Sequence, residues 1–334
     1  MKHFLLSAGL ILSGVTALAG GFGRNETGQK ALGLGGAFSA IGRDASVIYF
    51  NPGSLVLLDT SSISLGFTAV SSNTVFNNVR SGEQSRTTQG ILPLGYLYAS
   101  YQLSHKFAAG LGINSPYAYT TEWDEMWEGR SIVRKSSFYS IYLQPTLSYR
   151  ITDRFSVGAG LVYGMGQINF DRQIGETNVD FMAEAKGSGL GYNIGVLGSL
   201  DEFVSFSITY KSAVKMKLDD GEATFGNLGP FQNTYPAKAK VKSSIDLPST
   251  LSVGLTDRIS DKVSMAFEFN LTSWSVYDTL NFEFPDGGQP TTSRARVYED
   301  AMAFRAGIQY RHDSLTTIRG GLFYDETPLR DVFL

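Results

Sequence analysis

The stretch Tyr139-Ser140-Ile141-Tyr142-Leu143-Gln144-Pro145-Thr146-Leu147-Ser148-Tyr149 decides the fold. Its odd positions carry Tyr139, Ile141, Leu143, Pro145, Leu147 and Tyr149, while Ser140, Gln144, Thr146 and Ser148 stand between them. A two-residue period is the signature of a strand with one apolar and one polar face. The same alternation follows in Phe155, Val157, Ala159, Leu161 and Tyr163 against Ser156, Gly158, Gly160 and Gly164. It recurs in Val204, Phe206, Ile208 and Tyr210, and again in the odd positions of Val263–Leu271.

Short polar turns punctuate these strands at Ser104-His105-Lys106, Thr152-Asp153, Asp201-Glu202, Ser260-Asp261 and His312-Asp313. Longer polar segments alternate with them, near Ser115–Ser136, Gly175–Asn178, Asp219–Pro236 and Pro285–Arg296. Long alternating strands with short turns at one end and long loops at the other predict an all-β transmembrane antiparallel β-barrel. Tyr149, Tyr163, Tyr210 and Tyr310 fit an interfacial aromatic girdle at strand ends. A secreted β-sandwich of structural or adhesive role is the bland alternative, but it has shorter strands and turns every 8–12 residues. About eleven strands can be counted, and the expectation is a C-terminally incomplete barrel, because such barrels close with an even number.

Composition narrows the function. Of 334 residues, 43% are hydrophobic and 18% charged, with a net charge of −3 and no cysteine. A chain this rich in aromatic and apolar residues is not disordered. Without a basic excess it is not built to hold nucleic acid, and without cysteine it carries no disulfide framework. Lys2, the apolar run Phe4–Gly14 and Ala17-Leu18-Ala19 read as a signal peptide over residues 1–19. No later apolar run reaches the roughly 18 residues of a membrane helix. Residues 20–58 do not alternate and are glycine-rich, so they are expected to form a plug, or hatch, inside a barrel of residues 59–334. Within it Asp44 is placed to start a short helix that Asn51-Pro52 ends.

Several segments resemble the FadL/TodX family of outer-membrane transporters of long-chain fatty acids and other hydrophobic compounds. They are Gly21-Phe22 with Asn25-Glu26, Ala31-Leu32-Gly33, Gly36-Ala37-Phe38, Asp44-Ala45-Ser46 and Asn51-Pro52. Gly112-Ile113-Asn114-Ser115-Pro116-Tyr117 with Thr121-Glu122-Trp123 is similar, as are Leu247–Gly254, Trp274 with Tyr277-Asp278, and Arg319-Gly320-Gly321 with Tyr324–Pro328. Gly53 departs from the family's Asn-Pro-Ala. The resemblance implies fourteen strands, a Gram-negative outer-membrane location, and a hatch that moves on ligand binding. It also implies lateral exit through a kinked third strand.

Candidate residues follow from the chemistry of apolar transport. Trp123, Met126 and Trp127, spaced as one face of a helical turn, would capture an apolar solute at the outer surface; packing on the rim is the plain alternative. Arg172, Arg294 and Arg296 are the candidates for holding an acidic head group, with a solvated rim arginine the alternative for each. Asn51, Pro52 and Gly53 are expected to latch the hatch, and Gly110 and Gly112 to bend the third strand. No catalytic motif is present: His105 and His312 lie in turns. Asp219, Asp220 and Glu222 cluster, but a charged loop is ordinarily solvated, so no metal or cofactor is expected. The expected partners are a hydrophobic small molecule and outer-membrane lipid with lipopolysaccharide, around a monomer. A barrel resembling the PorV-type shuttle of type IX secretion is the alternative function.

Overall fold

The computed structural model describes residues 20–24, 27–286 and 292–329, and the signal-peptide segment and Asn25-Glu26 lie outside them. In chain order come α1 (Gln29–Gly33), α2 (Val47–Phe50) and a 3-10 turn, η1 (Pro52–Leu57). The strands follow: β1 (Ser62–Val70), β2 (Val75–Asn77), β3 (Gln84–Arg86), β4 (Leu92–Gln102), β5 (Phe107–Asn114), β6 (Ala118–Glu122), β7 (Lys135–Arg150), β8 (Phe155–Gln173), β9 (Asp180–Ser199) and β10 (Val204–Lys211). Next are β11 (Val214–Gly226), β12 (Lys238–Lys240), β13 (Lys242–Leu247), β14 (Thr250–Asp257), β15 (Val263–Thr272), β16 (Thr279–Glu283), β17 (Thr292–Ala295), β18 (Ala301–Arg311) and β19 (Thr317–Asp325).

Apart from the loop hairpin β2–β3, these strands form one antiparallel sheet that curls around the hatch. Five staves are made of collinear pieces: β5 with β6, β10 with β11, β12 through β14, β15 with β16, and β17 with β18. Together with β1, β4, β7, β8, β9 and β19 that makes eleven among the described residues, the number the alternation leads one to expect.

All five short turns close in one way. A Ser, Thr or Asp side chain accepts two backbone N–H groups: Ser104 from Lys106 and Phe107, Thr152 from Arg154 and Phe155, Ser260 from Lys262 and Val263. Asp201 accepts from Phe203 and Val204, and Asp313 from Leu315 and Thr316. Such side chains mimic a backbone turn, so one polar residue reverses the chain.

The faces sort as the alternation predicts. On β15 Phe267 points outward at 47% exposure, while its neighbours Ala266 and Glu268 face in and are buried. On β8 the outward apolar residues run from Phe155 to Met165. Ten steps of about 3.3 Å, tilted by about 40°, give a belt roughly 25 Å tall, which matches a hydrocarbon layer. β8 then continues to Gln173, so Tyr163 sits inside the strand and not at its end as expected. β11 likewise reaches Gly226, well into the segment Asp219–Pro236 expected to be loop.

The third stave is interrupted at Ser115-Pro116-Tyr117, between β5 and β6. Gly110 and Gly112 were expected to bend it. They instead lie in unbroken register with Ser100 and Tyr98 on β4 and with Thr146 and Gln144 on β7. Their missing side chains make room for the hatch, since a Cβ on Gly110 would stand 2.5 Å from Ile48. The ladder breaks at Pro116, which cannot donate to it.

Candidate functional site

Much of the hatch is held through its main chain. Its helices are short and end in carbonyls without helical partners, and inward-facing wall side chains supply the donors. Gln144 donates to Ile48 O (2.6 Å), Asn193 to Tyr49 O (2.8 Å), Gln102 to Leu55 O (3.0 Å) and Arg150 to Val56 O (3.1 Å). Ser156 and Ser148 both donate to Gly53 O. Asp44 accepts from Ser46 N at the start of α2, and Pro52 begins the turn after it.

Asn51, fully buried, donates to Ser39 O (2.9 Å) and to Val196 O of β9 (3.2 Å), and accepts from Gly53 N (2.9 Å). The turn Asn51-Pro52-Gly53 rests on Gly158 and Gly195, which are cross-strand partners on β8 and β9. A Cβ on Gly158 would lie 2.3 Å from the Pro52 carbonyl, and one on Gly53 2.7 Å from Gly195 O.

A second attachment is made by β15 and β18. Glu268 Oε2 accepts from Phe38 N (3.0 Å), Ser39 N (2.9 Å) and Ser39 Oγ (2.7 Å), and its Oε1 accepts from Asn270. Arg305 donates to Asn270, to Gly35 O and, through Nη2, to both carboxylate oxygens of Asp325. Lys211 places its ammonium 3.7 Å from the Tyr49 ring centre. A cavity of about 270 Å³ lies between this network and the hatch. Sequence reading missed Glu268, Arg305 and Lys211; the available signal was a charged side chain within an alternating membrane strand.

Beyond the hatch the lumen is aromatic. Phe22 meets Tyr117, Tyr119, Phe138, Trp274 and Tyr277 with ring centres 4.8–6.1 Å apart, all edge to face. Arg296 is set into this basin beside Tyr277, Tyr119 and Tyr298, hydrogen-bonds Tyr277, and has no partner for its Nε among the described residues. Arg172 lies higher, near the end of β8, 5.8 Å from the centre of the Phe181 ring. Arg294 lies on β17 opposite Leu280; its side chain is outside the described residues. Arg172 and Arg296 thus sit against different aromatic rings.

The basin borders a gap in the wall. Pairing between β4 and the third stave stops at Tyr96 with Asn114, and β6 pairs with β7 alone. The hatch residues Phe22-Gly23-Arg24 add themselves there as an extra strand: Arg24 N donates to Pro116 O (2.7 Å) and Ala118 N to Phe22 O (3.2 Å). Arg24 Nε fastens the end by donating to Ala118 O (3.0 Å).

At the rim the expected helical face over Trp123–Trp127 is absent. The segment is a run of turns in which Trp123 and Trp127, 8% and 9% exposed, stack 4.3 Å apart at 11°. Met126 points the other way at 74% exposure. Trp127 also packs on Phe76 of the β2–β3 hairpin, so two loops meet there. Asp219 and Glu222 pair with Lys242 and Lys238. Among the described residues no cluster of acidic or histidine side chains could hold a metal.

The sequence profile of a family described as outer membrane protein transport protein (OMPP1/FadL/TodX) matches residues 10–332. The chain belongs to this family. It is therefore an outer-membrane β-barrel of a Gram-negative bacterium, in a family of transport proteins. A long-chain fatty acid transport protein of Escherichia coli strain CFT073 is 24% identical over 97% of this chain and 81% of the relative. The solved FadL homologue of Pseudomonas aeruginosa superposes with a TM-score of 0.75 at 19% identity, covering 93% of this chain and 82% of that one. The Ralstonia pickettii toluene transporter TbuX gives 0.72 at 19% identity, over 93% and 88%.

Proposed function

We propose that this protein admits hydrophobic small molecules, long-chain fatty acids or aromatic hydrocarbons, through the outer membrane and releases them sideways through its wall. The observation that carries the reading is the aromatic basin beside the stretch where β4 and β6 do not pair, covered by the hatch residues Phe22–Arg24, with Thr88 and Gln89 bonded to Glu122 at the end of β6. Phe22 belongs to the basin and to the closure at once. A solute that displaces Phe22 from the basin thereby pulls on the strand that covers the gap. Lateral exit is favourable because each CH₂ leaving water for hydrocarbon gains about 0.8 kcal/mol.

The remaining parts have fitting roles. The rim of Trp123, Trp127 and exposed Met126 collects solute from outside. Arg296 holds an acid group when the solute has one, because a guanidinium in a dry basin prefers a carboxylate partner. Asn51-Pro52-Gly53 keeps one side of the hatch on β8 and β9 while the Phe22–Arg24 end swings.

The absence of cysteine permits a clean test. Gly23 and Tyr117 form a non-hydrogen-bonded antiparallel pair, in which Cα atoms lie about 4.5 Å apart. A Cβ on Gly23 meets nothing closer than 3.5 Å. Gly23→Cys with Tyr117→Cys, expressed in a strain lacking its own transporter, should take up labelled oleate or toluene when reduced and stop when oxidised. Equal uptake in both states would sink the lateral route. Reduced protein that folds but transports neither solute would remove the transport reading itself.

A further inference from the structure

Seven of the twelve lysines stand on one outward face of the barrel, above the apolar belt. They are Lys135 on β7, Lys186 on β9, Lys215 and Lys217 on β11, and Lys238, Lys240 and Lys242 on β12 and β13. The alternation aims them. Met216 and Leu218 are buried between and beyond the β11 lysines, and Val241 is buried between Lys240 and Lys242. Side chains of a strand alternate faces, so every one of these ammonium groups points away from the lumen.

Their height is set by register. Lys217 pairs with Ser188 of β9, one outward position above Leu190, where the exposed apolar series Leu190, Tyr192 and Ile194 ends. On the eighth stave, Leu251, Val253 and Leu255 lie below and Lys242, Lys240 and Lys238 above. The lysines begin where the hydrocarbon-facing surface stops. The corresponding positions of β16, Thr279, Asn281 and Glu283, carry no lysine.

Carboxylates stand beside five of these lysines. Lys186–Glu184 and Lys238–Glu222 lie at 2.7 Å, Lys135–Glu122 at 3.0 Å, Lys215–Asp246 at 3.7 Å and Lys242–Asp219 at 3.8 Å, every lysine being 43–67% exposed. Exposed pairs of this kind are weak and are screened by salt. Lys217 and Lys240 have no carboxylate partner among the described residues. A shallow concavity of about 990 Å³ is bordered by four of these lysines, Lys135, Lys186, Lys238 and Lys240, and by five carboxylates, Glu184 and Glu222 among them.

We propose that this face binds the phosphorylated head group of lipopolysaccharide in the surrounding outer leaflet. A compact ammonium suits phosphate as a point charge, and several lysines at a membrane surface add their attractions. The intervening carboxylates suit the divalent cations that bridge neighbouring phosphates, since hard cations take oxygen ligands. The inference concerns the outside of the barrel and does not depend on what passes through the lumen.

The test uses the protein in detergent micelles with three probes: bisphosphorylated lipid A, the same lipid A dephosphorylated, and phosphatidylglycerol. Native mass spectrometry reads the bound fraction. Bisphosphorylated lipid A should bind at least about tenfold more tightly than the dephosphorylated form, and the preference should weaken as salt rises. The variant Lys217→Ser/Lys240→Ser/Lys242→Ser should lose it, and the arginine variant at the same positions should keep it, each checked for strand content by circular dichroism. Equal binding of both lipid A forms, a salt-independent preference, or a preference surviving in the serine variant overturns the proposal. Phosphatidylglycerol bound as tightly as lipid A through the same lysines overturns the assignment to lipopolysaccharide.

Discussion

Gly158 and Gly195 form a floor on which the Asn51-Pro52-Gly53 turn lies without side chains between. The nearest atoms to a Cβ on Gly158 belong to the Pro52 backbone, which cannot rotate aside. Gly158→Ala should therefore destabilise the protein by about 1–3 kcal/mol, as overpacking does, seen as a lower urea midpoint. Gly95, with open space around its Cβ position, should accept alanine without a clash. Asn51→Ala removes the acceptor of Gly53 N and two donated bonds. Loss of a buried partner costs about 1–3 kcal/mol, so amide exchange at Gly53 should quicken while strand content stays constant. Asn51 and Pro52 stood out in the sequence because their chemistry is local: a proline stops a helix wherever it lies. The glycine floor did not, because what requires a glycine at 158 is a backbone about a hundred residues away in the chain.

Elements are where the sequence was most readable. Turn residues and alternation act within a few positions, so the five short turns and the faces of β7, β8, β10 and β15 follow from neighbours alone. Phe267 lies mid-strand on the outward face, opposite Leu255 and Ala306. Phe267→Arg should cost about 2–4 kcal/mol near the bilayer midplane, with Phe267→Leu close to neutral, measured by reversible unfolding in vesicles. The turns carry a pH signature. Backbone N–H groups of Val204 and Phe203 hold the Asp201 carboxyl below the usual range, and those of Leu315 and Thr316 do so for Asp313. A lowered carboxyl stabilises the fold above its unfolded value of about 3.9 and loses that contribution as pH falls through the folded value. Asp201→Asn should therefore flatten the fall in unfolding midpoint below about pH 4. Elements failed to be legible where a fold-level partner decides them. Trp123, Met126 and Trp127 have helical spacing, yet the β2–β3 hairpin and the mutual stack of the two tryptophans fix a different backbone.

For the whole molecule, short turns at one end and long loops at the other give an orientation that proteolysis can read. Arg80 and Arg86 are exposed in the loop between β1 and β4, whereas Lys106 and Lys262 are exposed in short turns. Trypsin applied to intact cells should cut after Arg80 or Arg86 and spare the bonds after Lys106 and Lys262. The reverse pattern would invert the protein in the membrane. The barrel and the hatch were both legible at this scale from periodicity and its loss over residues 20–58. The lumen network was not, because Glu268 and Ser39, 229 positions apart, meet only when the sheet curls. The way the wall grips the hatch also bears on how such proteins diverge. Gln102, Gln144, Arg150, Ser156 and Asn193 recognise main-chain carbonyls, which every amino acid possesses. Drift in the hatch side chains leaves those bonds in place, whereas drift in the wall donors breaks them. A hatch exchanged between two relatives with the same main-chain path would thus find its polar seats already made, and selection for new cargo can rewrite the stopper faster than the bore that holds it.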